Sequence, residues 1–385
     1  MPDVKISRFL GLNNRRDRRD LAVLGDAPGQ FMESAVNVDI DDQNLILRRK
    51  GLSTVVALSS GRSIGHFGGR FFFAEGNELR VGTPTVNAAV AAINAGNRVS
   101  YAELGGSVFY SDGARVGAVA DDNSERWVNF PSPSAPSAAA IAGSLPPGNY
   151  AFRITYVVSG VEGGASPLQT IALANAGGIR FTLPSTPSGV SSIGLYVSGQ
   201  DGTEPRRFGT VSAGATTVDV TTVADGRSCV TGGLSPIPAG TLCVVARRLC
   251  AASDECLYLS DPLRPGMVDS IGGYIKFAKP ISLVIPAGNG AFVAADKTYW
   301  IGEIGTDQMV RRPVFDYGAI PGTSGVIKRD EGDQVFWLSE RGLIIADASG
   351  AATNVQEANQ ALDLSGRGFA AYSKATGRIV AGHGI

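Results

Sequence analysis

Phe292-Val293-Ala294-Ala295-Asp296-Lys297-Thr298-Tyr299-Trp300-Ile301-Gly302 reads as two short strands and the turn between them. β-branched and aromatic residues suit a pleated, mostly buried strand. Asp and Lys between the two runs supply a tight polar turn. The same pattern returns along the chain. Phe71-Phe72-Phe73-Ala74-Glu75-Gly76-Asn77-Glu78-Leu79-Arg80-Val81-Gly82 precedes it, as do Val108-Phe109-Tyr110-Ser111-Asp112-Gly113 and Leu257-Tyr258-Leu259-Ser260-Asp261. Val335-Phe336-Trp337-Leu338-Ser339-Glu340-Arg341-Gly342-Leu343-Ile344 and Ala371-Tyr372-Ser373-Lys374-Ala375-Thr376-Gly377-Arg378-Ile379-Val380 follow it. Successive copies start roughly 35 to 45 residues apart, which is the length of a four-stranded blade. One gap, between the second and third copies, is far longer. A blade cannot bury its face without neighbours, so the pattern predicts an all-β, β-propeller-like domain of about five or six blades, complete or not.

The long gap has its own composition. Residues 131–240 hold ten charged side chains, about half the density of the chain as a whole. The stretch opens with Pro131-Ser132-Pro133-Ser134-Ala135-Pro136, a stiff linker. Strands follow: Gly148–Val158, Ile179–Leu183, Ser192–Ser198 and Thr216–Val220, with turn signals between them. About seven short strands in 100 residues predict a β-sandwich. The run from Tyr150 to Val158, followed by Glu162-Gly163-Gly164-Ala165-Ser166-Pro167, resembles a fibronectin type III-like domain. The expected organisation is therefore a propeller-like domain of residues 1–130 and 236–385, with a sandwich of residues 136–235 inserted in one loop. Helix is scarce. Val86–Ile93 has a helix-like composition, and Gln356–Leu364 predicts one short helix.

Composition narrows the function. Fifty glycines and 20 prolines among 385 residues, without a collagen period, suit many tight turns. Charged residues are only 18%, which fits either a surface partly covered in an assembly or a large domain with Ser- and Thr-rich strands. A net charge of -1 gives no global positive field for holding nucleic acid. The N-terminus lacks the apolar run of a signal peptide, and no stretch is long and apolar enough for a membrane span. Cys229, Cys243, Cys250 and Cys256 lack metal-site spacing and read as buried thiols in a reducing compartment.

Catalytic chemistry finds little to stand on. His66, in the Gly-rich stretch Gly65–Gly69, and His383 are the two histidines, and neither has triad spacing. Asp39, Asp41, Asp112, Asp261 and Asp296 are the carboxylates a glycosidase cleft would need, but all sit in turn contexts, where Asp serves the backbone. Asp39-Ile40-Asp41-Asp42 lacks the spacing of an EF-hand loop. No cofactor motif is found. Two basic clusters stand out, Arg15-Arg16-Asp17-Arg18-Arg19 and Arg48-Arg49-Lys50. Arg15, Arg16, Arg18 and Arg19 are the candidates for an arm that grips a neighbouring subunit or touches DNA in a channel.

Several segments taken in order resemble a known family. Phe9-Leu10-Gly11-Leu12-Asn13 opens the chain, Ala35-Val36-Asn37-Val38-Asp39 follows, and Leu45–Gly51 returns. Later come Tyr258-Leu259-Ser260-Asp261-Pro262-Leu263-Arg264-Pro265, Ile281–Gly288, Gly318-Ala319-Ile320-Pro321-Gly322-Thr323 and Trp337–Leu343. This order resembles the tail hub or nozzle proteins of short-tailed bacteriophages, also called stabilisation proteins. The resemblance implies a non-enzymatic virion subunit, assembled in the host cytoplasm into the tail. It implies a hexameric ring below portal and adaptor that continues the DNA channel, retains the genome and releases it. The implied partners are copies of the chain itself, the portal, adaptor and other tail proteins, and passing double-stranded DNA that is not read by sequence. This chain is short for such a hub. The competing reading is a host-surface or glycan-binding propeller at the tail tip.

Overall fold

Hairpins with glycine or Asx turns build the fold. In the computed structural model the described residues are 9–23, 29–34, 38–40, 46–48, 58–83, 85–329, 332–358, 367–373 and 378–383. The chain divides into two compact units, Leu58–Lys276 and Met1–Ala57 with Phe277–Ile385. Both are all-β, and both are built largely from small antiparallel sheets of the blade type.

The first blade of the unit Leu58–Lys276 runs in sequence order through Gly61–Phe67, Arg70–Glu75, Glu78–Gly82 and Asn87–Ala92. Its central hairpin turns at Gly76, whose φ of +58° is cheap for glycine alone. Asn87–Ala92 is a strand, where composition suggested helix. Alanine has high helix propensity, but pairing with Glu78–Gly82 and packing of Val90 and Ala91 on the core outweigh it. The second blade is Ser100–Leu104, Ser107–Ser111, Val116–Val119 and Glu125–Trp127. The third is Thr241–Val245, Arg248–Ser253, Cys256–Asp261 and Arg264–Asp269, with Leu234–Pro236 and Tyr274–Lys276 added. Phe72, Leu79, Val108 and Tyr110 join the first two blades in one core. Phe109, Val116, Leu242 and Leu249 join the second to the third. Backbone bonds reinforce that seam: Leu242 N–H donates to Ser100 Oγ at 2.8 Å, and Gly240 N–H to Ser111 Oγ at 3.0 Å. The chain between these neighbouring blades therefore loops out into a pair of sheets of its own.

That loop is the sandwich. One sheet orders Ser137–Leu145, Gly177–Thr182 and Thr217–Val220. The other orders Val161–Ala165, Gly148–Val158, Ser192–Val197 and Arg206–Ser212, with Gln169–Leu173 also pairing Gly148–Val158. Phe152, Ile154, Phe181, Ile193 and Leu195 fill the space between. On the outer face Arg180 pairs with its cross-strand neighbour Asp219, Nε to Oδ1 at 2.7 Å and Nη2 to Oδ2 at 2.6 Å. The guanidinium holds the Asp219 carboxyl below its ordinary pKa. A depressed folded-state pKa stabilises above the ordinary carboxylate range, and that contribution is lost as pH falls through the depressed value. We therefore expect Asp219→Asn to lower the urea midpoint slightly at pH 6. The gap to wild type should close as acidification protonates the carboxyl, and in roughly 1 M salt. A gap that is constant with pH would contradict the pairing.

The other unit repeats the blade. Leu283–Ala287, Gly290–Ala294, Thr298–Gly302 and Val310–Phe315 form one four-stranded sheet. Gly325–Ile327, Gln334–Ser339, Gly342–Ala346 and Ala352–Asn354 form the next. They share a core of Phe292, Trp300, Trp337 and Ile344. Gly368–Ser373 pairs Arg378–His383, and Val38–Ile40 pairs Ile46–Arg48, as two-stranded sheets. The short helix expected at Gln356–Leu364 is not formed at its start, since 356–358 are bend and turn. Residues 359–364 lie outside the described residues.

A serine recurs at or beside the end of an inner blade strand. Ser111, Ser260 and Ser339 are all at most 1% exposed. Ser260 Oγ accepts from Leu249 N–H at 3.1 Å, and Ser339 Oγ accepts from Arg341 N–H at 3.2 Å. Each hydroxyl satisfies a backbone donor where the ladder ends. Ser260→Ala leaves the Leu249 N–H buried without that acceptor, at a cost of about 1–3 kcal/mol. Chemical denaturation should show the loss, and a value near zero would mean that water replaces the hydroxyl.

Candidate functional site

The arginine-rich segment folds rather than trailing as a tail. Phe9–Leu12 pairs in parallel with Gly29–Met32, which pairs antiparallel with Ala22–Val23. Asn13 is fully buried, and its Oδ1 accepts from the N–H groups of Arg15 and Arg16 at 3.2 and 3.1 Å. A 3-10 turn, Arg18–Asp20, follows, capped by Asp17, whose Oδ1 accepts from Arg19 N–H at 2.9 Å. This geometry separates the four guanidiniums. Arg16 lies over the Phe31 ring at 5.3 Å, and Arg18 grips Glu33 with contacts of 2.6 and 3.1 Å. Arg15 and Arg19 are exposed, and their guanidiniums meet no partner among the described residues. Two arginines thus brace the turn and two are presented outward. Of the second basic cluster, Arg49 and Lys50 lie outside the described residues.

The candidate carboxylates are dispersed. Asp112 Oδ1 accepts from the N–H groups of Ala114 and Arg115 at 3.0 and 2.8 Å, and Oδ2 from Asn94 N–H at 2.9 Å. Asp261 Oδ1 accepts from Leu263 N–H at 3.0 Å, and Asp296 accepts from the Tyr299 hydroxyl at 3.2 Å. Asp39 is described only in its backbone, and Asp41 and Asp42 lie outside the described residues. His66 is exposed on the strand Gly61–Phe67, with its ring 4.7 Å from that of Phe71, and the glycine turn comes after it, at Gly68–Gly69. The four thiols are free. Cys243 and Cys250 are cross-strand neighbours, both buried, and their mutual contact together with burial pushes the Cys243 pKa up.

One polar cluster escaped sequence reading. Glu162, on Val161–Ala165, accepts through Oε1 from Thr155 Oγ1 at 2.5 Å and from the Tyr196 hydroxyl at 2.6 Å. Its Oε2 meets Arg227 at 3.1 Å and Arg207 at 3.8 Å. Burial, then the bond to Glu162, pushes the Tyr196 pKa up. Cys229 lies nearby and is raised chiefly by burial. With four partners on its two oxygens, Glu162 is a locking group that ties neighbouring strands and the 227 loop together. No signal in the sequence could have found it, since its partners lie 7 to 65 positions away.

Surface grooves also lie among the described residues. One, of about 440 Å³, lies on the sandwich between Ala135–Ala138, Phe152 and Gln169–Ile171. Another, of about 250 Å³, lies by Trp300, Glu303 and Val310. Among the described residues no group of three or more His, Cys, Asp or Glu is arranged to hold a metal ion, and no helix is long and apolar enough to cross a membrane.

No family model matches the chain, and no curated protein matches it. Among solved structures it is similar to apo AztD of Citrobacter koseri, with 12% identity and a TM-score of 0.26, covering 89% of this chain and 92% of that one. It is also similar to Sqt1 of Saccharomyces cerevisiae, with 11% identity and a TM-score of 0.19, covering 76% and 94%. PorZ of Porphyromonas gingivalis matches at 11% identity with a TM-score of 0.15, covering 88% of this chain and 46% of that one. Similarities this low transfer no function. The class of the protein rests on its own sheets: an all-β chain of propeller-like blades with an inserted sandwich.

Proposed function

We propose that this chain is a non-enzymatic structural subunit of a bacteriophage tail, a nozzle or hub ring that continues the DNA channel below portal and adaptor. The observation that carries the reading is the order of segments resembling that family, from Phe9–Asn13 to Trp337–Leu343. Supporting it, the later segments coincide with blade-shaping positions. Ser260 and Ser339 close strand ends, and Thr323 Oγ1 accepts from Leu338 N–H at 3.1 Å while donating to Ile320 O at 2.7 Å. Blades offer rigid surfaces that lose little entropy on docking, and a heterologous contact that returns on itself closes a ring. Arg15 and Arg19, held outward by the Asn13 and Asp17 caps, are the groups we assign to a neighbouring subunit or to passing DNA phosphates. A channel that lets DNA slide needs few such charges, in keeping with the net charge of -1. Negative-stain microscopy of the purified chain should show rings of about six copies that bind a portal–adaptor complex. Single particles with no end-on ring views, and no portal–adaptor binding, would overturn the reading.

A further inference from the structure

The sandwich has one margin where two strand edges meet solvent side by side. Ser137–Leu145 ends one sheet and Gln169–Leu173 ends the other, and the 440 Å³ groove lies between them with Phe152 in its lining. An open edge is a row of unpaired N–H and C=O groups ready to accept another strand. Several other edges are guarded. Glu125–Trp127 carries Glu125 and Arg126, and Val310–Phe315 carries Arg311, Arg312 and Pro313. Arg206–Ser212 carries two arginines, and Asn87–Ala92 is bulged. Ser137–Ile141, read Ser-Ala-Ala-Ala-Ile, has none of these devices and keeps a regular register with Gly178–Thr182. The open window is bounded. Pro136, which has no N–H, precedes it, and the register shifts between Ile141 and Leu145.

We propose that Ser137–Ile141 pairs antiparallel with the same strand of a second copy, about a two-fold axis through Ala139. Charge favours this occupant. The groove lining has no ionisable side chain, so identical edges meet without like charges opposed. The geometry is self-consistent as well. Ala138 is the partner of core residue Phe181, and Ala139 is the partner of Arg180 on the outer face. Pairing about Ala139 sets Ala138 against the second copy's Ala140, and Ser137 against its Ile141. Inward residues then meet inward residues, and the two three-stranded sheets become one of six. Small side chains let the strands approach along their whole length.

This contact is isologous, so it is independent of the ring contact, which must be heterologous. The test is Ala139→Lys in the full chain, measured by mass photometry beside wild type and Ala139→Ser. Ala139 is exposed, and an unchanged melting temperature will verify folding. Lysine places two ammonium groups against each other across the axis. The expected result is that particle mass halves in Ala139→Lys, whatever its wild-type value, and stays unchanged in Ala139→Ser. As a second measurement, oxidised Ala139→Cys should give a covalent dimer on a non-reducing gel that wild type lacks. An unaltered mass for Ala139→Lys, or no dimer band for Ala139→Cys, would overturn the pairing. Rings insensitive to Ala139→Lys would refute this contact and leave the nozzle reading intact, whereas a wild-type dimer split by Ala139→Lys would do the reverse.

Discussion

In the Trp337→Ala protein the unfolding free energy falls by about 3–5 kcal/mol. Trp337 is fully buried at the seam of two blades, 5.1 Å from the Phe292 ring and among Leu283, Val335 and Ile344. Truncation removes the indole and leaves a cavity walled by two rigid sheets, which cannot collapse without breaking ladders. The indole N–H has no hydrogen-bond partner, so Trp337→Phe gives up area without losing a bond and should cost only about 1–2 kcal/mol. Urea denaturation of both variants checks this. If Trp337→Ala cost less than Trp337→Phe, the residue would not hold the seam.

The second large effect comes from addition rather than removal. Gly350 has φ +84°, and a Cβ there would lie 2.6 Å from the Trp300 indole. Two costs add: a left-handed backbone for a β-branched residue, and overpacking against a ring already fixed 4.7 Å from Phe292. Each is of order 1–3 kcal/mol, so Gly350→Val should lose about 2–6 kcal/mol. Replacing Trp300 by Leu in the same chain relieves only the steric part. A double-mutant cycle should therefore show favourable coupling between the two changes. Purely additive losses would mean that backbone strain is the whole effect.

The blades were legible because their signal is local. Phe71–Gly82 and Phe292–Gly302 carry both strands and the turn within a dozen residues, and the structure places the hairpins there. Gly148–Val158 was legible for the same reason, since its length and alternation need no partner to be read. Asn87–Ala92 has a helix-like composition because alanine's helical preference is intrinsic, whereas the ladder that overrides it is not written in those six residues. The Arg15–Arg19 run looks like an arm when charge density is read without Asn13. Its buried amide turns the segment back beside Phe31 and Glu33. Glu162 and its four partners were invisible, since only the sandwich brings them together. The unguarded edge at Ser137–Ile141 becomes visible only once pairing shows which strands have a free side.

Self-association of a blade-built chain is the central claim. Mass photometry of the full chain across a dilution series tests it directly. A dominant species near six times the 39.9 kDa subunit mass, or twice that if two rings join through Ala139, is the predicted result. A 39.9 kDa particle that persists at every concentration would contradict it.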